Sequence, residues 1–411
     1  MNVSPIQRRI FKGLAALAML GILGVAALLG SLWLEHGTEL TLPAPTGPFA
    51  VGRWLYDWVD DKTPDVLAPV PGTRRELLVW IWYPAAAGQA GAVIDDYVPA
   101  SVRAPAGRVG APLVFRFLTR DLSKVHGHSL RDADVSPQQP SYAVVIIRAG
   151  ASLEVANYST LAEDLASHGY VVVGLDAPYR TFNVVFPDGR VIARTQENNL
   201  ELVSGEELTR RASKLLAAWT ADIAFVLDRL EWLNASDPSA KFTGRLDMTR
   251  VGVFGHSFGG AQAAQFCHED SRCKAGIDID GALFGSVIQD GIDKPFLFLL
   301  SGNGDFSSDA EIRRFQADIQ SVYNRLPADG RLRVVIRGAN HFTFNDDGAL
   351  LKSRVIRGLF RVFGKLGIGG RRQLAVTAYC VRSFFDAHLK GAGVSRLEIS
   401  SPLYPEIQVI E

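Results

Sequence analysis

The stretch Val251-Gly252-Val253-Phe254-Gly255-His256-Ser257-Phe258-Gly259-Gly260 decides how this chain is read. Its first half is an apolar, strand-like run, an alanine-rich helical segment follows, and G-x-S-x-G sits at the join. A serine on so sharp a strand-to-helix turn leaves little room two residues away on either side, so Gly255 and Gly259 let neighbouring backbone approach closely. The turn lifts the Ser257 hydroxyl above the end of a sheet, the layout of a nucleophile elbow. Five letters recur by chance in unrelated sequences, so the order of elements around them must carry the assignment.

Outward from the serine, strands and helices alternate, as in a mostly parallel central sheet with helices on both faces. Ala143 to Ile147 and Tyr170 to Leu175 are β-branched runs flanking a helical segment, Tyr158 to His168. Ser204-Gly205-Glu206-Glu207 has the pattern of a capping box. Behind it Leu208, Ala212, Leu215, Trp219, Ile223, Val226, Leu230 and Leu233 recur at three- and four-residue steps, which predicts one long amphipathic helix ahead of the turn at Gly244. Later strands are expected at Ala275 to Ile279, Phe296 to Leu300 and Leu332 to Ile336, with a closing helix at Leu374 to Leu389. Before this region, Arg75 to Pro84 reads as a strand and 85–112 as turn-rich. The polar stretch 113–142, with its apolar patch Val114, Phe115, Phe117 and Leu118, reads as an excursion over the sheet and a candidate lid. There are no internal repeats.

A serine hydroxyl is a poor nucleophile at neutral pH and needs an imidazole to take its proton and an acid to orient the imidazole. In α/β-hydrolases these follow in the order Ser, Asp or Glu, His, each on a loop after a strand. Of eight histidines, His341 in Arg337-Gly338-Ala339-Asn340-His341 is the late one placed just after a strand, and it is the expected general base. His256 adjoins the serine and points the wrong way, and His388 lies on the last helix. His126, His128, His168 and His268 precede the expected position and read as ordinary loop or surface residues. Two acids fit the spacing: Asp280, ending Ala275-Gly276-Ile277-Asp278-Ile279-Asp280, and Asp305, after Phe296 to Ser301. The first oxyanion donor is by position the backbone N–H of Phe258.

Phe254 to Ala261, Gly276 to Asp280 and Ile336 to His341 together resemble the platelet-activating factor acetylhydrolases of the plasma, lipoprotein-associated type. Asp164-Leu165-Ala166-Ser167-His168-Gly169 is similar to a helix end in that family. The likeness runs from about Gly47 to the C-terminus and is strongest from Tyr142 to Phe344. It implies an α/β-hydrolase fold and selects Asp280 over Asp305 as the acid. It also places the second oxyanion donor at the N–H of Ala151, within Arg148-Ala149-Gly150-Ala151; Gly150 matches the family and the residue before it departs. The implied activity is a serine esterase that cleaves short or oxidised acyl esters of phospholipids through an acyl-enzyme, without metal or organic cofactor. A general carboxylesterase or polyester hydrolase uses the same groups, and a non-catalytic surface protein of the same fold is the reading from another class.

The N-terminus departs from the globular pattern. Gly13 to Leu34 carries no charge and is about 22 residues long, enough to span a bilayer. Arg8, Arg9 and Lys12 precede it and Glu35, His36 and Glu39 follow. The expectation is a signal anchor with residues 1–12 cytoplasmic, 13–34 in the membrane, 35–53 a linker rich in Pro, Gly and Thr, and 54–411 an extracytoplasmic hydrolase domain, periplasmic in a bacterium. With 43 basic and 43 acidic residues the net charge is zero, and no nucleic-acid partner is expected. Three cysteines are too few for a disulfide scaffold, but Cys267 and Cys273 are spaced to bridge in an oxidising compartment, while Cys380 sits in a core-like helical pattern. Lys352, Arg354, Arg357, Arg361 and Lys365 interleave with apolar residues over 352–366. That is either a docked surface helix or a second contact with an anionic membrane. Neither His126-Gly127-His128 nor His268-Glu269-Asp270 makes a convincing metal ligand set, and no phosphate-binding loop or dinucleotide fingerprint is present.

Overall fold

The structure is a computed structural model that describes residues 5–86, 88, 92–103, 117, 119–151, 153–302, 310–352, 357–358, 362, 367–392 and 401–410. Its strands are β1 (Leu40–Thr41), β2 (Ala50–Pro64), β3 (Arg74–Ala85), β4 (Ile94–Asp96), β5 (Val125–Arg131), β6 (Tyr142–Arg148), β7 (Tyr170–Asp176), β8 (Asn183–Val185), β9 (Val191–Ala193), β10 (Leu246–His256), β11 (Cys273–Ile279), β12 (Phe296–Ser301), β13 (Arg331–Ile336) and β14 (Ile407–Val409). All but β8 and β9, which pair with each other, join one twelve-stranded sheet. Its order is β1-β5-β2-β3-β7-β6-β10-β11-β12-β13-β14, with β4 on β5. From β7 to β13 every pairing is parallel, while β2, β3 and β14 join antiparallel.

Parallel strands need crossovers, and helices supply them on both faces. The helices are α1 (Pro5–His36), α2 (Ser159–Ser167), α3 (Gly205–Ser236), α4 (Phe258–Glu269), α5 (Val287–Asp290), α6 (Ala310–Arg325), α7 (Asp347–Leu350) and α8 (Gly370–Leu389). Alternation along β6 sends Val144 and Ile146 to one core with Ile223 and Leu230 of α3 and Ala261 of α4. Val145 and Ile147 go to the other, with Leu161 and Leu165 of α2 and Val381 and Phe385 of α8. Each fully buried aliphatic side chain contributes about 1.5–3 kcal/mol. From β6 the chain crosses to β7 on one side and, by way of α3, β10 docks on the other. The strand order therefore reverses between β6 and β10, and the crevice beyond their carboxyl ends is where such sheets place their sites.

The expected strands and the long helix appear near their predicted places, and several boundaries change for physical reasons. Residues 35–53 are not a free linker. Leu42 is buried, Thr46 N and Oγ1 donate to Asp164 Oδ1 at 2.9 and 2.7 Å, Gly47 N donates to Ser167 Oγ at 2.9 Å, and β2 begins at Ala50. β2 escaped a hydrophobicity reading because charges interrupt it. Two of them are buried only because they are paired, Arg53 with Asp95 at 2.6 Å and Asp60 with Arg75 at 2.9 Å. The stretch read as an excursion, 113–142, contains β5, a member of the sheet. Val114, Phe115 and Leu118 of the proposed lid lie outside the described residues, and Phe117 packs on Trp33. Ser204 sits at the N-cap of α3 without a side-chain cap bond, and the Glu207 carboxylate, the other half of a capping box, is held instead by Arg210 and Arg211 at 2.7 and 2.6 Å.

α1 is long and apolar enough to cross a membrane, and its Leu14, Leu17 and Leu20 are exposed. Its last turn is docked onto the body. Carbonyls near that end accept Lys352 Nζ at Leu32 (3.1 Å), Arg120 Nη1 at Glu35 (3.0 Å) and the N–H of Asp121 at His36 (2.8 Å), the last two being ones a helix end leaves without an intrahelical partner. Two of these donors are cations at the negative end of the helix dipole. Arg120 Nε also reaches Leu350 O at 2.8 Å, in the helix that follows His341.

Candidate active site

β10 ends at His256 and α4 begins at Phe258, leaving Ser257 at the corner with φ 56° and ψ −125°. A side chain at positive φ is strained and persists only where the surroundings dictate it. Here Ser257 N donates to Ile279 O, and its carbonyl accepts Gly260 N–H, both at 2.8 Å. A Cβ at Gly255 would lie 2.2 Å from Gly259 O, and one at Gly259 would lie 2.4 Å from Arg148 O. No other residue type fits either position without moving the backbone. The two glycines thus press α4 against β10 and against the turn after β6.

Ser257 Oγ lies 3.1 Å from Nε2 of His341, whose Nδ1 lies 2.9 Å from Oδ2 of Asp280. Asp280 follows β11, has φ 54°, and accepts Ser301 N–H on Oδ1 at 2.8 Å, so both carboxylate oxygens are engaged. Burial opposes its ionisation. The hydrogen bond and charge of His341, with the Ser301 N–H, outweigh that and hold the carboxyl below the usual aspartate range. His341 opens a single 3₁₀ turn after β13 whose N-cap, Asn340, is clamped by α8: Asn340 N donates to Gln373 Oε1 (3.1 Å) and Gln373 Nε2 donates to Asn340 O (2.8 Å). A carboxylate–imidazole–hydroxyl chain of this kind can take a proton from Oγ while keeping the imidazole in one tautomer. Asp305, the alternative acid, lies outside the described residues.

Phe258 is the first residue of α4, so its N–H has no partner inside the helix and points to the positive end of the helix dipole. The Arg148-to-Ala151 turn adjoins it: a Cβ on Gly150 would be 3.5 Å from Ser257 Cβ. The N–H of Gly150 is spent on Tyr158 Oη at 3.1 Å, and no partner for the N–H of Ala151 occurs among the described residues. Two groups here were not singled out from the sequence. Tyr158 Oη is 2.8 Å from Nδ1 of His256, and the His256 ring lies 4.7 Å from that of His341. His256 is turned away from Ser257, as expected, yet it is part of the packed site rather than of a loop surface. Burial, then the nearby His341, drops its pKa to about 3, so it is neutral. The G-H-S-F-G string contained His256, but nothing in its spacing announced the tyrosine a hundred residues upstream.

The other histidines have local partners: His126 with Glu39, His128 with Leu42 O, His168 with Thr46 and Arg382, His268 with Gly291 O, and His388 against the Phe384 ring. No group of three or more His, Cys, Asp or Glu suited to a metal occurs among the described residues. Cys267 and Cys273 are joined in a disulfide between α4 and β11, and Cys380 is buried. Of the 352–366 basic stretch, Lys352 is buried against α1 and Arg357 is exposed. Arg354, Arg361 and Lys365 lie outside the described residues.

Residues 190–390 match the family model described as platelet-activating factor acetylhydrolase, isoform II. The chain is similar to a probable 1-alkyl-2-acetylglycerophosphocholine esterase of Arthroderma benhamiae, 24% identical over 398 residues, covering 91% of this chain and 95% of that protein. It is 28% identical to the platelet-activating factor acetylhydrolase of Cavia porcellus over 227 residues, 50% of this chain and 48% of that one. The fold is similar to that of a ferulic acid esterase from Streptomyces cinnamoneus, with TM-score 0.71, 28% identity, and coverage of 91% of this chain and 100% of that one.

Proposed function

We infer that this chain is a relative of the platelet-activating factor acetylhydrolase family and an ester hydrolase. From that premise we propose that it cleaves short or oxidised acyl esters of phospholipids through an acyl-enzyme on Ser257. The observation that carries the reading is the Asp280–His341–Ser257 chain at 2.9 and 3.1 Å on a strained strand-to-helix corner. Ser257 Oγ attacks the ester carbonyl as its proton passes to Nε2 of His341. Asp280 keeps Nδ1–H oriented and balances the imidazolium. The oxygen of the tetrahedral intermediate is received by the N–H groups of Phe258 and Ala151, each worth about 3 kcal/mol. Collapse expels the alcohol with the proton from His341, and water repeats the steps to free the acid.

α1 is the membrane anchor in this reading. Arg8, Arg9 and Lys12 hold its start in the cytoplasm and the hydrolase lies outside, so esters in or near the lipid are the nearest substrates. Protease added to sealed vesicles and spheroplasts tests the orientation: the hydrolase is digested from the outer side only. A second reading, a general carboxylesterase, is favoured by one observation, the full-length likeness to the ferulic acid esterase. Rates on short-acyl phosphatidylcholine against simple aryl and polymer esters separate the two. A kcat/KM at least tenfold higher on the phospholipid supports the first, and the reverse order supports the second.

A further inference from the structure

The turn after β6 is fixed by a hydroxyl that the reaction itself does not use. Tyr158 closes the 3₁₀ turn Val155–Tyr158 and is buried, with its Oη 3.1 Å from Gly150 N and 2.8 Å from His256 Nδ1. A backbone N–H can only donate, so Tyr158 Oη accepts from Gly150. The phenol's second bond is to His256 Nδ1, which accepts the phenol proton in the neutral imidazole tautomer that carries its own proton on Nε2. Gly150 N–H to Tyr158 Oη is thus fixed in direction, and Tyr158 O–H to His256 Nδ1 goes with the Nε2–H tautomer of His256.

The next peptide unit is held from the opposite side. Gly150 O accepts Leu153 N–H at 3.2 Å, and Ala151 O accepts Arg194 Nη1 at 3.3 Å. In a planar trans peptide the C=O and the following N–H point in opposite directions, so tying down Gly150 O aims the N–H of Ala151 the other way. With Gly150 N–H pulled onto Tyr158, this leaves Ala151 as the donor of the turn beside Ser257. His256, at the far end of the same hydroxyl, lies with its ring 4.7 Å from that of His341 and 5.6 Å from that of Phe344.

We infer that Tyr158, with His256 as its acceptor, is a positioning residue that orients the oxyanion turn at Ala151 and registers it to the His341 base. This rests on the serine-esterase reading above. It adds that one phenol couples two parts of the catalytic apparatus that come from opposite ends of the chain. Without the hydroxyl, Gly150 N–H and His256 Nδ1 lose their partners together, and the turn is free to swing either N–H.

The test is steady-state kinetics of the full chain on a soluble aryl ester, with binding of an aryl boronate as a probe of the tetrahedral state. Tyr158→Phe should lower kcat by ~10- to 100-fold, leave KM within about twofold, and weaken the boronate by a similar factor. His256→Asn, which keeps an acceptor near the Nδ1 position, should retain most of the rate, whereas His256→Phe should fall with Tyr158→Phe. A Tyr158→Phe enzyme with unchanged kcat and boronate affinity overturns the inference. So does an equal loss in His256→Asn and His256→Phe, which also decides the matter if Tyr158→Phe does not fold. Ser257→Ala in the same assay keeps the two ideas apart: turnover there within about tenfold of the native chain overturns the serine reading, while a loss of about 10⁴-fold in Ser257→Ala beside a normal Tyr158→Phe overturns only the positioning role.

Discussion

Two polar clusters lie at the carboxyl ends of neighbouring strands, and they are built to opposite rules. In the cluster around Trp219 the buried polar groups are tied to one another. Arg180 gives Asp65 two bonds at 2.9 and 2.7 Å and Asp222 two at 3.0 and 2.7 Å, all three side chains being almost wholly buried. Arg148 and Arg180 both approach the Trp219 ring, at 4.0 and 5.2 Å. At the Ser257 corner, by contrast, two residues hold positive φ, His341 is partly exposed, and the N–H groups of Phe258 and Ala151 have no partner among the described residues. The saturated cluster is there to hold, the unsaturated one to receive. They touch through Arg148, whose next three residues form the turn beside Ser257, so the rigid cluster is the foundation of the receptive one.

That contrast predicts a double dissociation. Ser257→Ala should lower ester hydrolysis by about 10⁴-fold or more with no loss of melting temperature, since nothing in the fold depends on Oγ. Asp280→Asn should cost about 10⁴-fold, because an amide no longer fixes the imidazole tautomer. Calorimetry alongside should show the fold intact. The opposite pattern is expected for Arg180→Met. Leaving Asp65 and Asp222 buried without their cation should cost about 3–5 kcal/mol in urea unfolding, while kcat of the folded fraction at low temperature changes only a few-fold. A catalytic collapse in Arg180→Met without destabilisation would erase the distinction.

A pH-dependent effect concerns Asp278, two residues before Asp280 and fully buried. Burial raises its pKa to about 8, so it is neutral where Asp280 is ionised. The folded state therefore keeps a proton that the unfolded chain releases near pH 4, and stability from this group falls as pH rises from about 4 to about 8 and is level above. Asp278→Asn keeps the acceptor for Gly281 N–H (2.9 Å). Its melting temperature relative to the native chain should climb across that pH range; a difference that does not vary with pH would contradict this account.

Much of the receptive cluster could be read from the sequence, and little of the saturated one. Ser257 and His341 announce themselves because each sits directly after an apolar strand, and Gly255 and Gly259 mark the close approach in the sequence itself. Asp280 needed the family resemblance, since spacing left Asp305 equally open. Tyr158, His256 and the Arg180 cluster were illegible: Asp65, Arg180 and Asp222 meet only once the sheet is assembled, and no local period records such a meeting. The same limit hid β2, where Arg53 and Asp60 read as surface charges until Asp95 and Arg75 arrive beside them.

The central claim is that the corner at Ser257 is a working nucleophile, and labelling with a fluorophosphonate probe tests it most directly. The full chain should take up one phosphonyl group, mapped by mass spectrometry to Ser257, and lose hydrolysis in step, while Ser257→Ala of the same melting temperature stays unlabelled. Labelling that persists in Ser257→Ala, or a folded native chain that takes up none, would contradict it.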